Sequence, residues 1–215
     1  MPEITLRGGL EVEDPLRTAL EFLEAYPTYD SYHSSASSFD GRDLRHANRG
    51  GARISAAEQA AILERGGRIE RALRTIDPDA SLLDRVPGAA LTRLFDAFAD
   101  VRGVGFSKMT KALHRKRPAL IPMLDSVVQE YLQLDAPAIP PPESFGERAV
   151  ALVRSYKRDL DRNRSALRQI RRELEGRGYR LSEVRILDVL IWSAMASTDR
   201  SAGATRSRSR GGGPA

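Results

Sequence analysis

The chain has 215 residues, 41% of them hydrophobic and 29% charged, with a net charge of +5 at neutral pH. That is enough length and apolar content for one generous core, and too much apolar content for a disordered chain. No cysteine occurs, which excludes disulfides, cysteine-held zinc or iron–sulfur centres and thiol catalysis.

The opening residues MPEITLRGGLEVEDP carry no secretory signal, and no apolar run approaches membrane length. The expectation is a cytoplasmic protein without membrane association. Ile4–Leu6 is the one stretch that reads as a strand. The first helix opens at Asp14-Pro15, a cap followed by a proline suited to the first helical turn, and stops at Pro27. The polar segment from Tyr26 to Ser55 reads as a long loop with a short helix near Asp40–Asn48. A loop of that length inside a compact domain is more often functional than idle.

Ser55 and Glu58 form a capping box. The helix it opens is expected to reach about Ile76, with Ile62, Ile69 and Leu73 inward. A helical turn at Leu82–Val86 and a helix over Ala89–Val101 follow, then a further helix over Phe106–Lys116. Residues 136–142, APAIPPP, break the chain. One long helix is expected from Glu143 to about Glu175, its outer face carrying mixed charges. Ser182 caps the last helix, in which Val184, Leu187, Leu190, Ile191 and Trp192 are expected in the core.

This pattern predicts an all-α domain over 10–197. The segment 198–215, rich in Arg, Gly and Ser, is expected to be a disordered basic tail. It serves either as a solubilising end or as a phosphate-binding arm.

Residues 101–128, VRGVGFSKMTKALHRKRPALIPMLDSVV, hold the motif with most chemical content. Gly103-Val104-Gly105 joins two helices. Glycine supplies the backbone angle of such a turn and lets a ligand approach closely. Amides at the start of the second helix suit a phosphate, and Lys108 and Lys111 suit its charge. Ser107 immediately precedes Lys108. Contacts of this kind grip a DNA backbone without reading its sequence. The alternative is a tight helix–helix turn and nothing more. The cationic run His114-Arg115-Lys116-Arg117 fits either a helix C-terminus or a phosphate surface.

The hairpin, the following helix, Pro118, Pro122 and then Asp125 at the mouth of the next helix resemble the helix-hairpin-helix DNA glycosylase superfamily over residues 91–132. The resemblance implies a hairpin formed by Gly103, Val104, Gly105, Ser107, Lys108 and Lys111 on double-stranded DNA, and Asp125 as the catalytic carboxylate. It calls for no cofactor or metal. Two departures stand out. Arg102 replaces the usual proline, and Ser107 stands where bifunctional members carry a Schiff-base lysine, which points to the monofunctional hydrolytic chemistry. Read without the resemblance, Asp125 is also a favoured helix cap.

A second pattern, GVGFSKMTKALHRKRPALIPMLD followed by RILDVLIW at 185–192, resembles a mainly actinobacterial family of unknown function over most of residues 18–192. A base pocket needs aromatic faces and polar edge-readers. Tyr26, Tyr29, Tyr32, His33 and Asn48 are the candidates. A non-catalytic DNA-binding module and a helical protein-interaction protein are the other readings, and the sequence leaves the oligomeric state open.

Overall fold

The computed structural model describes residues 3–31, 34–134 and 144–209, with side chains as far as Ser197. The described residues fold as helices α1 (Pro15–Ala25), α2 (Gly41–Arg49), α3 (Ala56–Glu64), α4 (Gly66–Leu73) and α5 (Gly88–Asp96), followed by α6 (Phe106–His114), α7 (Ser126–Gln133), α8 (Phe145–Arg162), α9 (Arg164–Glu175) and α10 (Glu183–Ser209). A single 3-10 turn precedes them at Arg7–Gly9, and no strand occurs among the described residues. The all-α expectation holds at this level. Of the expected tail, 198–209 is described only as helical backbone continuous with α10. Residues 210–215 and the proline-rich break at 136–142 lie outside the described residues.

The organising element is the first part of α10. Residues 183–191 are all buried, so this stretch has no solvent face and is enclosed on all sides. It is surrounded by α1, α7, α8 and α9. The most extensive helix pairing is α5 with α8. It is made possible by Gly146, where a Cβ would collide with the Thr92 carbonyl and stand 2.8 Å from Asp96.

Four expectations are corrected. The helix expected to run from Ser55 to Ile76 is two helices, α3 and α4, interrupted at Arg65 (φ −92°, ψ 2°) before the weak helix formers Gly66 and Gly67. The long helix expected over 143–175 breaks at Asn163. Its side chain accepts from the Thr5 amide at 2.7 Å and donates to the Thr5 carbonyl at 3.0 Å, imitating a backbone partner. The expected strand at Ile4–Leu6 does not form; the backbone of Thr5 pairs with this side chain and not with a neighbouring strand. At Leu82–Val86 there is no helix, since the Leu82 amide turns away to the Ala119 carbonyl at 2.8 Å.

The cationic run after α6 points inward. Arg117, 1% exposed, donates to the carbonyls of Leu73 and Ile76 at 2.8 and 2.7 Å, closing the C-terminal end of α4. Lys116 is bound to Asp43 at 2.7 Å. His114 is fully buried, and burial pushes its imidazole down to about 4. The neutral ring meets the Ile121 carbonyl through Nδ1 at 2.7 Å, so Nδ1 carries the proton. These side chains cap and fasten helices and present no phosphate surface.

Candidate functional site

The Gly103-Val104-Gly105 turn is built as its sequence requires. Gly103 has φ +83°, a left-handed angle, Val104 is buried, and Gly105 is the extended N-cap of α6 with no side chain closing the helix start. Above the turn stands an acid. A Cβ on Gly103 would collide with Glu58 Oε1, and that carboxylate holds Lys108 at 2.6 Å. The Lys108 hydrogen bond is the first cause that holds the Glu58 carboxyl below its ordinary range. Ser107 is half-buried one residue earlier.

Lys111 lies one helical turn further along α6 and faces a different acid. Its Nζ is 3.4 Å from Asp125 Oδ2. Asp125 is divided between two tasks. Oδ1 accepts from the Val128 amide at 3.1 Å and caps α7, while Oδ2 turns to Lys111.

Both side chains line a cavity of about 410 Å³. One wall is aromatic. Phe22 lies 4.8 Å from Tyr26 and 5.8 Å from Trp192 between ring centroids. Tyr26 and Trp192 are 50% and 37% exposed, which puts them at the mouth, with exposed Arg49 beside them. Trp192, expected in the core, is therefore a wall of the cavity: α10 emerges from its buried stretch at this residue. The backbone of Gly50 and Gly51 forms another side.

The inner end is buried and ionic. Arg185 binds Asp30 in a fork, Nε at 2.9 and 3.2 Å from the two carboxylate oxygens and a terminal nitrogen at 3.0 Å. The guanidinium lies 5.2 Å from the ring centroids of both Phe22 and Tyr29. Tyr29 is buried, stacks on His46 at 4.6 Å and donates to the Lys111 carbonyl at 3.3 Å. Burial drives its hydroxyl well above the usual phenol range. Asp188 Oδ2 accepts from the Met123 amide at 3.2 Å, and burial pushes the carboxyl up to about 7 against the pull of Arg185.

The chain belongs to the DUF6308 family. Residues 18–195 match this family of unknown function; no curated protein and no solved structure matches the chain. The matched span includes the hairpin, Asp125 and every residue lining the cavity.

The structure gathers Asp125, Lys111, Tyr26 and Tyr29 around one space. It does not gather the others there. Gly103, Val104, Gly105, Ser107 and Lys108 sit at the far end of α6, outside the lining. Asn48 is outside the lining too: its side chain donates to the Ile54 carbonyl at 2.9 Å and accepts from the Ile54 amide at 2.6 Å, which closes a loop. Tyr32 and His33 lie outside the described residues. Sequence reasoning missed Arg185, Asp188, Asp30 and the aromatic role of Phe22 and Trp192. A signal for two of them was present. In EVRILDVLIW, Arg185 and Asp188 are three apart on a stretch with no polar face to receive them. Among the described residues no group of three or more His, Asp or Glu side chains is placed to hold a metal, and no helix is long and apolar enough to cross a membrane.

Proposed function

We propose that the chain binds double-stranded DNA and acts as a monofunctional N-glycosylase, taking a flipped base into the aromatic cavity and cleaving its bond to the sugar with Asp125. The observation that carries this reading is the Lys111–Asp125 pair, 3.4 Å apart, on the lining of that cavity. Because Oδ1 is committed to the helix cap, Oδ2 is the oxygen left for chemistry. As the base leaves with the bonding electrons, the carboxylate faces the cationic sugar carbon and accepts a proton from the water that adds there. An ion-paired ammonium has no lone pair to attack with, so Lys111 positions Asp125 and forms no imine.

The hairpin and the cavity share α6. Phe106 opens that helix and Lys111 lies five residues on, about 7.5 Å along the axis. A backbone phosphate resting on the uncapped amides of α6 therefore lies close to the nucleotide that enters the cavity. Arg49 at the mouth adds a cation for the same strand.

Two measurements test the reading with the full chain. Duplex binding is titrated against salt, and base release is followed over a panel of duplexes with single modified bases, with Asp125→Asn as control. Binding that weakens steeply with salt, together with release that the variant abolishes, is expected. Absence of binding at low salt overturns the whole reading. Salt-sensitive binding without release of any base removes the chemistry and leaves a DNA-binding module.

A further inference from the structure

Away from the hairpin and the cavity, a groove of about 1030 Å³ is lined by the end of α8, one face of α9 and the start of α10. None of its lining residues lines the aromatic cavity. Five arginines stand on it, and two of them are employed in the fold. Arg171 binds Glu183 at 3.2 Å and Glu175 at 3.5 Å, and Arg162 approaches Asp159 at 3.7 Å. The other three, Arg164, Arg168 and Arg172, have no ion pair among the described residues.

These three follow one another at four-residue steps on one face of α9, a row about 12 Å long. Beside the row the chain sets an acid four residues after a cation, as with Lys157 and Asp161 or Arg171 and Glu175. Within the row that place is held by the next arginine, and like charges so spaced repel. The helix dipole adds to this. α9 begins at Arg164 with no acid in its first turn and no side-chain cap, because the Asn163 side chain is turned to Thr5. Cations therefore stand where an anion is favoured. Of the acids on the lining, Asp161 is held by Lys157 and Glu183 by Arg171, which leaves Asp84 alone against three arginines.

The chemistry of the groove selects among anionic partners. Its lining holds Leu83 and Ala119 as its only apolar side chains and no aromatic one. A protein partner needs an apolar centre to its interface, whereas a nucleic-acid contact is polar and strongly positive. A small anion meets one or two members of the row; a linear polyanion meets all three. We propose that this groove is a second nucleic-acid site, in which Arg164, Arg168 and Arg172 hold phosphates along one strand of a phosphodiester backbone. With no ring to stack a base, it grips the backbone of a duplex or a single strand alike and reads no sequence. The site needs neither the hairpin nor Asp125.

Binding of the full chain to a short duplex of mixed sequence, and to one of its strands alone, is titrated against salt. In Arg164→Gln/Arg168→Gln/Arg172→Gln the slope of log affinity against log salt is expected to flatten by about three on the duplex and about two on the single strand. Affinity at low salt is expected to fall by about tenfold or more, equally for every sequence. Arg168→Gln/Arg172→Gln, at exposed positions, carries the same test with a duplex slope flatter by about two if the triple variant folds poorly. Arg68→Gln/Arg71→Gln/Arg74→Gln changes three exposed arginines on and just after α4, outside the groove. It lowers the net charge equally and is expected to keep the wild-type slope.

A wild-type slope in both groove variants overturns the inference and leaves the hairpin as the contact. Equal flattening in the groove and α4 variants also overturns it, because net charge alone is then at work. So does binding of poly-glutamate, lost in the groove variant, by a chain that binds no nucleic acid, which gives the groove to an acidic protein. Flattening confined to the groove variants, with binding to the single strand but not to the duplex, or with no base released from any duplex, sinks the glycosylase reading and leaves this one standing.

Discussion

Glu58 and Lys108, fifty positions apart, are joined by a 2.6 Å ion pair that crosses the Gly-Val-Gly turn. The carboxylate occupies the space next to Gly103 that the sequence suggests for a phosphate. A DNA backbone reaching the start of α6 therefore meets an acid already in place, and Lys108 is available to it only by exchanging partners.

This sets the direction of the first prediction. Glu58→Gln keeps the capping box of α3, since glutamine closes it as glutamate does, while removing the negative charge. Duplex affinity is expected to rise, and the slope of log affinity against log salt to steepen by about one as Lys108 joins the phosphate contacts. Unchanged affinity and slope would show that the hairpin is not where DNA rests.

Asp125 can be separated into cap and charge. Asparagine caps a helix about as well as aspartate, so Asp125→Asn is expected to leave thermal stability close to wild type. Asp125→Ala loses the bond from the Val128 amide and is expected to cost about 1 kcal/mol. Denaturant curves of the two variants separate these terms. Loss of base release in the asparagine variant alone then reports on chemistry and not on folding. A large destabilisation by asparagine would mean that the Lys111 contact is chiefly structural.

Much of the fold is legible in the sequence because caps and apolar spacing are local signals. Asp14, Ser55 and Asp125 all cap the helices they are expected to open, and Gly103 takes its positive φ. What escapes is set by distant partners. Nothing near Asn163 announces that Thr5 will break the helix there, and Lys108 and Lys111, alike in sequence, are taken by different acids. The cavity was half legible. Tyr26 and Tyr29 stand out in a polar loop, but the buried fork of Asp30 and Arg185 joins residues 155 positions apart.

Gly50 makes room for the inner end of the cavity. A Cβ there would stand 2.5 Å from the Tyr29 ring, and that ring is held between the His46 stack and the Arg185 guanidinium. It cannot swing away cheaply. Gly50→Ala is expected to destabilise the fold by about 1–3 kcal/mol, as overpacking does, and to alter Trp192 fluorescence by displacing the wall opposite. Urea unfolding with the fluorescence of the folded state measures both. A variant as stable as wild type would mean that Tyr29 has an alternative seat.

The buried carboxyl and the buried imidazole give stability opposite dependences on pH. Asp188 is raised from 3.8 to about 7 in the folded chain, chiefly by burial. Between those values the unfolded chain has released a proton that the folded chain keeps. Its contribution is present below the lower value and is lost as pH rises through the upper one, by about 4 kcal/mol in all. His114 is lowered from 6.5 to about 4, again chiefly by burial. There the unfolded chain holds the extra proton, and stability rises with pH across that window by about 3 kcal/mol. In the wild-type chain the two slopes largely cancel between about pH 4 and 6.5. Asp188→Asn removes one of them. Its unfolding free energy is expected to climb with pH over this range, and the difference from wild type to shrink steadily until about pH 7 and then stay level. A variant whose profile runs parallel to wild type from acid to neutral pH would show that Asp188 is ionised in the folded chain throughout, with Arg185 outweighing the burial that holds its proton on.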